Sequence, residues 1–317
     1  MNQAEDFAPL RFCPNDLRLG IKTPNSTVTS PSDNPEPQSV PAQFKHWTIP
    51  GPIPPGRLSN IQPGPGESLD SISGHFRLFQ LKAGHRFSTD DLLTAYYGTS
   101  WCPRAARVLD LGSGIGTVAM VAAWRLPGAF FVTIEAQRES AALARRSAEY
   151  NGLTSRFDIR EGDFRQPEAL RSAEAFDLIL GSPPYFPEGT GVIGDHPQKI
   201  ACRFELRGDV TDYCSTAAMH LAPGGLVSLV FQYAEDQRRR VQVGAQKAGL
   251  AIFRERPVVL REGDPPLIGL FALMRADNLP PWFRGHTHID PPLLIRTRSG
   301  DIHPEYSALK MSIGFPP

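Results

Sequence analysis

The sequence predicts an α/β domain built on a doubly wound, mostly parallel seven-stranded sheet, preceded by a disordered proline-rich tail. Three observations predict it. From about Ser71 onward, short β-rich runs alternate with helical stretches. Alternation at that length means parallel strands covered on both faces. A glycine-rich turn, "VLDLGSGIG", follows the first of these strands, and an acid ends the second. Residues 1–70 share none of this pattern and carry 13 of the 31 prolines.

The elements follow in order. Within the tail, "TPNSTVTSPSDNPEPQSVP" is a polar low-complexity run without apolar periodicity. Such a stretch buries too little apolar surface to offset its ordering entropy, so it is expected to be disordered. It holds five Lys/Arg against seven Asp/Glu, which excludes a basic nucleic-acid arm. Residues 71–317 form the expected domain. Val108 to Leu111 reads as a strand and Ile115 to Trp124 as a helix. Phe130 to Glu135 is the second strand, and the Ala- and Arg-rich run Glu139 to Asn151 a helix. Phe157 to Arg160 and Phe176 to Leu180 are the third and fourth strands. Val210 to Leu221 is helical, and "PGG" then turns the chain into the strand Leu226 to Phe231. Asp236 to Ala248 is a helix. The closely spaced runs Ile252 to Leu260 and Leu267 to Met274 predict an antiparallel pair at the edge.

Composition narrows the function. The chain is 41% hydrophobic with a formal net charge of zero, so no global basic field announces a nucleic-acid partner. Cys13, Cys102, Cys202 and Cys214 contain no CxxC pair, so neither a zinc site nor any other metal site is expected. They read as free thiols of a cytoplasmic protein. The start, MNQAEDFAPL, has no apolar core of a signal peptide, and no run of about eighteen apolar residues predicts a membrane span.

Two places carry chemistry. Gly112, Gly114 and Gly116 lie between a strand and a helix, where glycine permits a tight turn and close ligand approach. Glu135 ends the next strand, where a carboxylate suits a ribose diol. A dinucleotide fingerprint needs GxGxxG, but Thr117 stands where its last glycine belongs. The pattern is instead D-x-G-x-G-x-G, beginning at Asp110, and it resembles that of S-adenosylmethionine enzymes. In those enzymes an acid placed like Asp163 receives the cofactor's adenine amino group.

The second place is "FDLILGSPPYFPEG", Phe176 to Gly189. Two prolines cannot donate to a sheet, so the strand stops there. Strand carboxyl ends form the ligand crevice of a doubly wound sheet, so Ser182 to Tyr185 should face the glycine turn across one cleft. The Ser182 side chain and the Pro183 carbonyl are candidate acceptors for an amine's N–H groups, and Tyr185 offers a ring for stacking.

Together these motifs resemble the class I methyltransferases that modify amino nitrogens and bear [NDS]PP[YF]. "FQLKAGHRFSTDDLLTA", Phe79 to Ala95, is similar to a segment of the bacterial tRNA(Val) adenine-N6 methyltransferase family, with Gln80, Gly84, Arg86, Phe87 and Asp90 matching. "HPQKIACRFEL" and "LLIRTRSGDIHPEYSAL" are also similar, and the resemblance spans roughly residues 72 to 312. It implies a Rossmann-like fold, S-adenosylmethionine as cofactor and RNA, tRNA above all, as partner. Arg86, Phe87 and Asp90 would hold the cofactor's amino-acid end. Asp110, Gly112 and Gly114 would line it, Glu135 would take the ribose and Asp163 the adenine. Ser182, Pro183, Pro184 and Tyr185 would hold the target amine.

Two departures keep alternatives open. Ser182 stands where the family usually has Asn, and the proline-rich tail is an extension the family generally lacks; within the matching motif, His85 also stands where an aromatic is usual. Ser-Pro-Pro-Tyr also occurs in DNA cytosine-N4 methyltransferases, while protein glutamine methyltransferases use the related Asn-Pro-Pro-Tyr. A protein that binds cofactor or RNA without catalysis is the third alternative. From residue 72 the chain has 28 Lys/Arg against 26 Asp/Glu. Of its basic groups Arg203, just after the motif loop, is the expected substrate contact, with Arg207 near it. Arg238 to Arg240 read as a solvated helix face.

Overall fold

The computed structural model describes residues 43–44, 47–59, 61–190 and 196–317. Most of the expected disordered tail, and Cys13 with it, lies outside the described residues. The boundary expected at residue 70 falls inside a strand. β1 (Gln43–Phe44) pairs with β2 (Trp47–Thr48), and β3 (Glu67–Ser71) forms an antiparallel hairpin with β4 (Arg77–Leu81). Then come α1 (Thr89–Trp101), β5 (Arg107–Leu111), α2 (Thr117–Arg125), β6 (Phe130–Glu135), α3 (Arg138–Tyr150) and β7 (Phe157–Glu161). They are followed by β8 (Phe176–Gly181), α4 (Pro197–Arg203), α5 (Val210–His220), β9 (Leu221–Gln232) and α6 (Glu235–Lys247). The chain closes with β10 (Leu250–Arg261), β11 (Ile268–Arg275), β12 (His288–Ile289), β13 (Leu293–Arg296) and α7 (Pro304–Ser312).

The main sheet runs β10-β11-β9-β8-β5-β6-β7, the seven strands expected. β12 and β13 pair with the outer side of β10 and bring the sheet to nine. These short strands cover an edge that would otherwise offer unpaired backbone groups. β11 is antiparallel to both neighbours, so the expected antiparallel pair exists, with β11 inserted one place in from the edge. Strand order reverses between β5 and β8, which opens a crevice at their carboxyl ends.

Alternation along the strands feeds two cores. Val108 belongs to the core beneath α1, α2 and α3, while Leu109 and Leu111 belong to the core beneath α5 and α6. On β8, Leu178 and Leu180 face the first core and Ile179 the second. All are fully buried, and each such side chain contributes about 1.5–3 kcal/mol. The β3–β4 hairpin is fastened to α3 by polar side chains. Ser147 Oγ accepts from the Phe79 N–H at 3.0 Å, and Asn151 both accepts from and donates to the backbone of Arg77. This docking fixes the hairpin along the C-terminal half of α3.

Candidate active site

The turn after β5 is built from three left-handed glycines, Gly112, Gly114 and Gly116, with φ of 60°, 55° and 86°. A side chain at Gly112 would collide with the hydroxyl of Tyr213 on α5, 2.1 Å from the Cβ position. At Gly114 a Cβ would meet nothing within 4 Å, because that backbone opens onto a cavity of about 360 Å³. The Gly114 N–H donates to Glu135 Oε2 at 2.7 Å, and the Gln137 N–H donates to Glu135 Oε1 at 2.6 Å. These bonds hold the Glu135 carboxylate at the cavity wall. Burial pushes its pKa above the usual value, against the pull of these N–H groups and the positive charge of Arg207.

Asp110 also lines the cavity, and its Oδ2 accepts from the Ala119 N–H at 3.1 Å. It therefore anchors the first turn of α2 as well as facing the cavity. Its pKa stands well above the usual range, through burial first and the charge of Asp91 next. Asp163 follows β7 and is held low chiefly by Arg165, whose guanidinium grips both carboxylate oxygens at 2.6–3.1 Å.

β8 ends at Gly181, and Ser182 to Tyr185 turn into the same cavity. The Tyr185 hydroxyl donates to Asp90 Oδ2 at 2.6 Å, and its ring stands edge-on to Phe231 with centroids 5.5 Å apart. The next residue fixes the loop to the end of α4. The Phe186 N–H donates to the Arg203 carbonyl at 3.1 Å, and the Glu205 N–H to the Phe186 carbonyl at 2.9 Å. The Arg203 guanidinium lies 5.4 Å from the Phe186 ring centre, at the cavity wall.

The fold thus brings together Asp90, Asp110, Gly112, Gly114, Glu135, Asp163, Arg203 and Ser182 to Tyr185 around one cavity. Arg86 and Phe87 are not among the residues lining it. Arg86 turns back to the hairpin and pairs with Asp70 at 3.0 Å, while the Phe87 ring packs against Phe315. Arg238 and Arg240 are not simply solvated either. Arg238 pairs with the buried Glu255, and Arg240 with Glu205 at 2.6 Å. The cavity adds residues that the motifs did not single out, among them Asp91, Cys202 and Tyr213. Asp91 was legible as the neighbour of Asp90. Tyr213 had no local signal, since only the packing of α5 brings it under Gly112. Gln198, at the start of α4, was equally silent. It accepts from the His85 N–H at 2.8 Å and donates to Ser140 Oγ at 2.9 Å, holding the loop before α1.

The residues fit a nucleoside cofactor bearing positive charge. Open backbone at Gly114 leaves room for it, and the buried Ser113 Oγ has no hydrogen-bond partner among the described residues. Asp91, Asp110 and Glu135 face the cavity with carboxyl groups that suit a sulfonium and an ammonium. No group of three His, Cys, Asp or Glu arranged to hold a metal exists among the described residues. Nor is any helix among them long and apolar enough to cross a membrane.

Sheet order, glycine turn, strand-end acid and Ser-Pro-Pro-Tyr loop define an S-adenosylmethionine-dependent methyltransferase of the class I fold. Residues 91–244 match the family described as the methyltransferase small domain. A tRNA1(Val) (adenine(37)-N6)-methyltransferase of Shewanella amazonensis is 29% identical over 203 residues, covering 64% of this chain and 84% of its own. A release factor glutamine methyltransferase of Geobacter sulfurreducens is 41% identical over 85 residues, 27% of this chain and 28% of its own length. Among solved structures, a predicted O-methyltransferase from Agrobacterium tumefaciens superposes with a TM-score of 0.52 at 20% identity, covering 72% of this chain and 98% of that one.

Proposed function

We propose that this methyltransferase transfers a methyl group to the exocyclic amine of adenine in RNA, with tRNA as the substrate class, in the cytoplasm. The observation that carries the reading is Ser182 to Tyr185 at the end of β8, opening into the same cavity as Glu135 and Gly114. The 29% identity with the Shewanella tRNA adenine methyltransferase over most of that protein's length supports the choice of acceptor. S-adenosylmethionine, when bound, supplies the electrophilic methyl group. The chain's own task is to present an amine whose lone pair is delocalised into a ring. The Ser182 hydroxyl and the Pro183 carbonyl would accept its two N–H groups, which localises the lone pair and aims it. Tyr185 would stack the base, which has to be splayed out of its helix or loop. Arg203 would meet a neighbouring phosphate. Positioning and preorganised dipoles supply most of the rate in such a site.

The short, 41% identical match to a release factor glutamine methyltransferase favours a second acceptor, a protein carboxamide, whose edge resembles that of adenine. Labelled S-adenosylmethionine incubated with bulk tRNA, bulk protein and DNA separates the two. Label in tRNA, released as N6-methyladenosine on digestion, is the expected result. Label in protein alone would sink the RNA reading.

A further inference from the structure

We propose that Asp90 is a positioning residue for the acceptor site, acting through the Tyr185 ring, and not a ligand of the cofactor's amino-acid end. The proposal rests on the reading that a planar acceptor stacks on Tyr185. Asp90 lies in the first turn of α1, 95 residues from its partner, and its Oδ2 takes the Tyr185 hydroxyl at 2.6 Å. That is a short, charge-assisted bond. Burial first, and the charge of Asp90 next, push the Tyr185 phenol well above its usual range, so it donates throughout neutral pH.

The ring is oriented by its hydroxyl, tied to Asp90, while its body packs against both cores and stands at 87° to the Phe231 ring. Without the Asp90 bond the phenol end loses its fixed partner and the tilt of the stacking plane is no longer set. Asp90 is itself held in place. The Ser88 N–H donates to Asp91 Oδ2 at 3.0 Å in a reciprocal cap that fixes the start of α1. The cofactor's positive groups do not depend on Asp90, because Asp91, Asp110 and Glu135 bring three further carboxyl groups to the same cavity.

Asp90→Asn, Tyr185→Phe and the double variant test this, with S-adenosylmethionine affinity read by calorimetry and transfer to tRNA by labelling. A charge-assisted hydrogen bond is worth enough to raise the acceptor KM by about tenfold in each single variant. Cofactor Kd should stay within about twofold, a change of under half a kcal/mol. The double variant should be no worse than either single one, since both break one contact. Ring-labelled tyrosine gives a readout that needs no acceptor: Asp90→Asn should shift the 13Cζ resonance of Tyr185. Cofactor binding weakened more than about tenfold by Asp90→Asn and not by Tyr185→Phe would overturn the proposal. So would additive effects on KM, or an unmoved Tyr185 resonance. Wild-type protein inactive on every RNA overturns the RNA reading alone, and calorimetry with the tyrosine resonance then decides the role of Asp90.

Discussion

Gly112 and Tyr213 are locked together: the phenol hydroxyl of one occupies the space where the other would carry a side chain, 2.1 Å from the Cβ position. The glycine turn at the cavity wall is thus shaped by a helix a hundred residues further along the chain. Gly112→Ala meets that hydroxyl and also a φ of 60°, a left-handed conformation that costs a non-glycine residue about 1–3 kcal/mol. Calorimetry should show S-adenosylmethionine affinity reduced by at least about tenfold. Adding Tyr213→Phe removes the clash and not the strain, so it should restore part of the affinity. Full wild-type affinity in Gly112→Ala alone would contradict the packing.

A pH dependence follows from Asp91, which is pushed up to about 7, chiefly by desolvation and also by the charge of Asp90. Below that pH the carboxyl is neutral; above it a negative charge faces a positively charged cofactor. S-adenosylmethionine should therefore bind more tightly as pH rises from 6 to 8, and Asp91→Asn should flatten the curve. Stability moves the opposite way. A carboxyl whose folded pKa lies above its ordinary value of 3.8 favours the folded state fully below 3.8 and progressively loses that contribution as pH rises to about 7. Calorimetric titrations and thermal melts across this range check both signs.

Gln198 joins three segments with one side chain: α4 itself, the His85 backbone and Ser140 on α3. It is 2% exposed, so its loss strands a buried hydroxyl and a backbone N–H. Gln198→Ala should destabilise the protein by about 1–3 kcal/mol in urea unfolding. It should also raise the cofactor Kd, because the loop it releases carries His85 and Ser88 to the cavity wall. An unchanged midpoint would mean that the loop is held by other contacts.

Ser182 tests the chemistry. Ser182→Ala removes one acceptor from the amine and should lower kcat by roughly 100-fold, the usual effect of losing one preorganised polar group. Cofactor affinity should not move. Ser182→Asn restores an acceptor with longer reach and should keep most of the activity. A Ser182→Ala variant with wild-type kcat would assign the serine to the turn and leave Pro183 as the acceptor.

Much of this site was legible because its parts are local. Asp110, Gly112, Gly114, Glu135 and Ser182 to Tyr185 sit at strand ends, and a strand end is readable from a few neighbouring residues. Arg86 and Phe87 show what local reading leaves out. They match a family motif, yet a carboxylate on the opposite hairpin strand, Asp70, draws Arg86 away, and Phe315 near the chain end holds Phe87. A motif specifies residues; what stands opposite them is set by the rest of the chain.

The sequence by itself determined the doubly wound sheet, the chain order of its seven main strands and the two loops that meet at its crevice, but not the β3–β4 hairpin, α1, α4 or the short strands β12 and β13. Periodicity, glycine turns and paired prolines act within a few residues, so they are written where they act. Only the tertiary structure decided that Tyr213 lies beneath Gly112, that Gln198 holds the loop before α1, and that Asp90 reaches Tyr185. Those contacts join residues about 95 to 113 positions apart, and they exist because close packing of helices on a sheet leaves each buried polar group only a few partners within reach.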